Sequence, residues 1–195
     1  MAATASLANS VRGRRPGAAE AVISLVLPLL LAAGFLAAAG GPGRAQPAAP
    51  AQDCDRAAWP LAADRARLSA PGLRPLRNGD TLILPLDSAL RFILVPQAGA
   101  NLPIPPRKGE EGAFAGVVDL KVPAPERVWQ VTVSVNAWID VVVDGRPLTP
   151  IAFTGVHACP GLRKSLRFRI PGGDVRLQAS GAEGARLDLL ITPVD

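Results

Sequence analysis

The chemistry open to this chain is bounded by one short run, His157-Ala158-Cys159-Pro160-Gly161-Leu162-Arg163-Lys164. His157 is its only histidine, and Cys159 is one of two cysteines, the other being Cys54. A nucleophilic thiolate needs a base beside it, and at i and i+2 on a strand His157 and Cys159 would share a face. Metal centres ask for more. A non-haem iron triad takes two histidines and a carboxylate, and blue copper takes two histidines and a cysteine. Catalytic zinc takes two or three histidines, or two cysteines with one histidine. One histidine cannot supply the two-histidine sets, and a Cys54–Cys159 disulfide would remove both the last zinc set and the free thiol. A serine hydrolase would also need His157 as its base. No Gly-x-Ser-x-Gly elbow occurs, and Ser134, Ser165 and Ser180 stand in no supporting motif. Gly172-Gly173 and Gly181 to Gly184 read as hairpin turns rather than phosphate loops. The expectation is no catalytic residue, no cofactor and no metal ligand.

Binding is the remaining chemistry. Trp138 and Asp140 fall on the polar side of their strand, and Arg163, Arg167 and Arg169 on the polar side of a later one. If those strands are neighbours, Asp140 and Asp144 pair with the arginines as cross-strand salt bridges, each contributing only about 0–1 kcal/mol. The sharper alternative is a shallow site built from Trp138, Asp140, His157, Arg163 and Lys164. There the indole offers a stacking face and the others polar contacts, which suits a sugar, an acidic glycan or another envelope component. Two carboxylates alone do not make a glycosidase, and Asp140-x-x-x-Asp144-Gly145 is not an EF-hand loop.

The elements that would position these residues are almost all strands. In Arg127 to Val135, Trp129, Val131, Val133 and Val135 alternate with Gln130, Thr132 and Ser134, the pattern of a half-buried strand. Ala137, Ile139, Val141 and Val143 then oppose Trp138, Asp140, Val142 and Asp144, and Asp144-Gly145 supplies a hairpin turn. Further strands are expected at Thr81–Leu84, Arg91–Val95, Ala113–Val122, Ser165–Ile170, Asp174–Gln178 and Arg186–Thr192, divided by Pro/Gly turns. Asn101 to Gly112, rich in proline and glycine, reads as a surface loop. One short helix is expected around Ala62–Leu68, ended by Pro71-Gly72. Seven or eight short strands predict an all-β fold, an antiparallel sandwich, over residues 79–195; at fold level the strand pattern resembles jelly-roll-like or pre-peptidase C-terminal-like sandwiches.

The first residues speak to compartment. Arg12, Arg14 and Arg15 precede a charge-free run from Ala21 to Gly43, with small residues placed for cleavage after Ala45 or Ala39. Residues 1–45 therefore read as a signal peptide, the alternative being an uncleaved anchor, since the run could span about 30 Å of hydrocarbon. Pro16-Gly17 after Arg14-Arg15 favours ordinary secretion over twin-arginine export, and Ala51-Gln52-Asp53 is no lipobox. The full chain carries net charge +5. The leader takes four basic residues (Arg12, Arg14, Arg15, Arg44) and one acidic (Glu20) with it, leaving about +2. That charge makes no case for nucleic acid, and after cleavage no stable membrane span is expected. In a periplasmic or secreted protein Cys54 and Cys159 most simply form one disulfide. It ties the segment 46–78 to the sandwich, with the loop of roughly 100 residues worth up to about 4.7 kcal/mol in the chain-entropy picture.

Trp138-Ile139-Asp140-Val141-Val142-x-Asp144-Gly145, then His157-x-Cys159-x-Gly161-x-Arg163-Lys164, then an apolar strand and Pro171-Gly172, resemble a group of small exported alphaproteobacterial proteins. The resemblance spans about residues 54–192. It implies a small exported β-sandwich, and members of the group are often labelled homogentisate dioxygenase, an iron-dependent oxidoreductase. That activity implies iron on two histidines and a glutamate, a set that His157 alone does not complete. The residues themselves therefore favour a non-catalytic binding or envelope-associated protein, with the dioxygenase or a carbohydrate-binding accessory domain as alternatives.

Overall fold

Alternation along Arg127–Val133 sets the frame of the molecule, because it decides which face each neighbouring strand must bury. The computed structural model describes residues 53–107 and 111–194; the expected leader and the start of the linker after it lie outside the described residues. A 3-10 turn at Cys54–Arg56 and helix α1, Ala62–Leu68, come first. Twelve strands follow: β1 Arg74–Arg77, β2 Thr81–Ile83, β3 Leu90–Ile93, β4 Val95–Pro96, β5 Phe114–Val122, β6 Arg127–Val133, β7 Trp138–Val143, β8 Arg146–Pro147, β9 Ala152–Gly155, β10 Lys164–Ile170, β11 Gly173–Ala182 and β12 Arg186–Pro193.

The strands form two sheets packed as a sandwich. Sheet A runs β1-β3-β12-β6-β10-β9, and sheet B runs β2-β5-β11-β7-β8 with β4 beside β5. Most pairings are antiparallel, but β1 lies parallel to β3 and β2 parallel to β5. The fold is thus the expected all-β sandwich, with mixed sheets. Strand β1, ahead of Asn78-Gly79, and strand β9 have no alternation to announce them and join through their neighbours.

Register explains the core. Phe168 of β10 is opposite Trp129 of β6, Leu166 is opposite Val131, and Ile191 of β12 is opposite Val131 from the other side. These residues face Val118 and Leu120 of β5, Ile139 and Val141 of β7, and Val175 and Leu177 of β11 in one cluster between the sheets. Each large side chain buried there contributes roughly 1.5–3 kcal/mol relative to exposure.

The outward face of sheet A is also covered. Gln130, Thr132 and Ser165, polar as the alternation predicts, are buried. Asp64 of α1 accepts hydrogen bonds from Gln130 Nε2 and Thr132 Oγ1, both at 2.7 Å, and Thr132 and Ser165 share one at 2.9 Å. Around them Leu61, Leu68, Val156, Cys159, Leu162 and Leu190 make a second apolar cluster. Cys54 and Cys159 are disulfide-bonded, with Cα atoms 5.0 Å apart. The staple lies at the rim of this second layer, where it holds the residues after Asp53 over the sheet.

Candidate ligand-binding cleft

Strand β7 leaves its loop at Trp138, and two residues later, on the same face, comes Asp140. The spacing lets the indole Nε1–H donate to Asp140 Oδ1 at 3.1 Å. Asp140 is 3% exposed and Trp138 39%, so a buried carboxylate orients a half-open aromatic ring. Arg107, from the proline-rich segment after β4, completes the group. Its Nε lies 3.3 Å from Asp140 Oδ1, and its guanidinium carbon is 5.3 Å from the Trp138 ring centroid. An ion pair on a nearly buried acid and a cation over an indole face hold one another in place.

These side chains stand at one side of a cleft of about 410 Å³, whose other walls are Leu148, Pro150, Phe153, Lys164 and Leu166. The cleft opens where β7 and β8 of sheet B approach β9 and β10 of sheet A. Lys164 reaches it because it shares the inward parity of Leu166 and Phe168. Phe153, 59% exposed, gives a second aromatic surface. Cavities of this size, largely apolar with a few convergent polar groups, suit small ligands.

The structure brings Trp138, Asp140 and Lys164 together and leaves His157 and Arg163 elsewhere. Arg163 has the opposite parity to Lys164, and its Nη1 donates to the Val156 carbonyl at 2.6 Å across the neck of the loop. His157 is exposed beside the disulfide. Its backbone N–H donates to Asp53 Oδ2 at 3.0 Å, and Ala158 N–H donates to Asp53 Oδ1 at 2.8 Å. Those two bonds, His157's foremost, pull the Asp53 carboxyl below its usual range against a smaller opposing effect of burial. The histidine therefore belongs to the stapled loop.

The expected pairing of Asp140 and Asp144 with Arg163, Arg167 and Arg169 does not form, because β7 and β10 belong to different sheets. Arg167 donates instead to Gln130 and stacks 4.3 Å from the Trp59 ring centroid, and Arg169 lies 3.9 Å from Glu126. Cross-strand ion pairs of the expected type occur between direct register partners elsewhere, Arg91 with Asp188 and Arg176 with Asp119. Arg107 had no sequence signal, since a loop rich in proline says nothing of where it lands.

Among the described residues no group of three or more His, Cys, Asp or Glu could hold a metal ion. The two-histidine iron site that the dioxygenase label implies does not fit a single exposed His157. Among the described residues no helix is long and apolar enough to cross a membrane. No protein-family model, curated protein or solved structure matches the chain.

Proposed function

We propose that this protein is exported and binds a ligand in the Trp138–Asp140–Arg107 cleft without catalysing a reaction. The observation that carries the reading is the half-exposed indole fixed between a buried carboxylate and a guanidinium. Orienting an aromatic ring at the surface holds it against solvent for no packing gain, which favours a recognition role. Export is supported by the disulfide, a bond of oxidising compartments, together with the leader-like residues 1–45. The periplasm or the secreted medium is then the place of action, and an envelope component the ligand.

The test is retention of the purified exported protein on cell-envelope polysaccharide. Trp138→Ala is expected to abolish retention while leaving the melting temperature close to wild type, because the side chain it removes is half exposed. A Trp138→Ala protein that fails to fold would make the indole a core residue and end the cleft reading. The dioxygenase alternative predicts stoichiometric iron in the purified protein together with ring-opening activity, and finding both would overturn this proposal.

A further inference from the structure

The outer face of sheet B carries three buried side chains, each with one polar atom that has no hydrogen-bond partner among the described residues. Gln178 and Ser180 of β11 are 0% exposed and Asp140 of β7 is 3% exposed. Gln178 is the direct register partner of Asp140, and Ser180 of Trp138. Direct and diagonal partners on one face lie within about 8 Å, so the three form one patch with the indole at its edge. Asp140 Oδ1 takes the bonds from Trp138 and Arg107, but Asp140 Oδ2 has no partner among the described residues. Gln178 Oε1 accepts from Ile104 N–H at 3.4 Å, whereas Gln178 Nε2 has none, and Ser180 Oγ has none.

Leaving a buried polar atom without a bond is costly, and three in one patch exceed what packing requires. Their chemistry is specific. Asp140 Oδ2 accepts, Gln178 Nε2 donates, and the Ser180 hydroxyl does either. A ligand hydroxyl also donates and accepts at one atom, so neighbouring hydroxyls match all three. Peptide groups separate those roles onto different atoms, and acyl chains have neither.

The cover over this patch is the segment 101–107. None of its residues is fully buried. It is tied to two of the same side chains, Ile104 N–H to Gln178 Oε1 and Arg107 to Asp140 Oδ1. A ligand that bonds the remaining atoms of those side chains, Asp140 Oδ2 and Gln178 Nε2, must take the place of the cover, and segments with few buried apolar contacts open most readily.

We infer that the ligand reaches from the Trp138 cleft onto this adjoining patch and is a saccharide. Its ring lies against Trp138, and its hydroxyls displace the 101–107 cover to bond Asp140 Oδ2, Gln178 Nε2 and Ser180 Oγ. The inference rests on the binding function proposed above and names its ligand class.

The experiment is calorimetric titration of the exported protein with cellotetraose, chitotetraose and tetragalacturonate, with phosphatidylglycerol vesicles as a separate arm. Wild type, Gln178→Leu and Ser180→Ala are compared, each with its melting temperature. Saturable binding of at least one saccharide is expected, weakened about tenfold or more by each variant. The melting temperature of Ser180→Ala is expected to equal or exceed wild type, since it loses a buried atom that had no partner. That of Gln178→Leu is expected to stay near wild type, since removing the unpartnered Nε2 offsets the lost 3.4 Å bond from Ile104 N–H. A purely structural role predicts a lower melting temperature and unchanged affinity. Saccharide binding that both variants retain overturns the inference and leaves the binding function standing. Vesicle binding without saccharide binding, lost in the Trp138→Ala protein described above, does the same. No binding by any probe overturns both.

Discussion

Asp53 is a single residue whose charge state reports on the stapled loop. Its carboxylate accepts the backbone N–H groups of His157 and Ala158, and the bond from His157 is the main reason its pKa lies below the usual range. A carboxyl depressed in the folded state stabilises the fold above its unfolded value, near pH 3.9, and that contribution is lost as pH falls through the folded value. Asp53→Asn should therefore melt lower than wild type at neutral pH, with the gap closing below about pH 4. Melting temperatures of both proteins from pH 7 to pH 2 check this; a gap constant across that range would mean that the charge does not matter. Legibility at this scale followed locality. Trp138 and Asp140 were readable as a pair because two residues on a strand share a face. Lys164 was readable only as a nearby cation, and Arg107, Gln178 and Ser180 were not readable as site residues at all. Their proximity comes from sheet register and from where a proline-rich segment crosses the sheet, and neither leaves a periodic trace in the chain.

At the scale of elements, β5 and β3 meet so closely that one position admits only glycine. A Cβ at Gly116 would lie 2.5 Å from Phe92 Cζ, and Phe92 is 0% exposed in the core between the sheets. The ring has nowhere to retreat, so Gly116→Val should destabilise by roughly 1–3 kcal/mol, the usual cost of overpacking. Chemical denaturation measures it, and wild-type stability in that variant would mean that the Phe92 ring can repack. Long strands such as β6 and β7 were legible from alternation, and the Asp144-Gly145 turn from its residue types, with Asp144 at φ 49° and Gly145 at φ 73°. What alternation could not reveal was a second cover. Gln130, Thr132 and Ser165 read as a solvated face, yet they are buried under α1, where Asp64 accepts from Gln130 and Thr132 and Ser165 bonds to Thr132. A strand pattern reports which side chains are polar and leaves open whether water or another element satisfies them.

At the largest scale, the described residues form two sheets and an N-terminal cover over sheet A, with separate apolar clusters in the two seams. The disulfide belongs to the outer seam alone, since Cys159 packs with Leu61, Leu68 and Leu162 while the cluster between the sheets holds neither cysteine. Its two effects should therefore be separable. Joining residues 105 apart in sequence restricts the unfolded chain, worth up to about 4.7 kcal/mol, and in the native state it clamps only the cover. Under reductant the sandwich should stay folded while the cover loosens. Hydrogen exchange is then expected to accelerate at residues 54–69 and at the 156–163 loop, with the β5, β11 and β7 amides of sheet B protected as before. Uniform acceleration across both sheets would show instead that the two seams unfold as one. Intact mass with and without reductant supplies the companion measurement. Among the described residues no free cysteine exists, so protein collected after export should gain about two hydrogens on reduction. Two thiols already free in the exported protein would remove the staple, and with it the oxidising-compartment argument on which the proposed site of action leans.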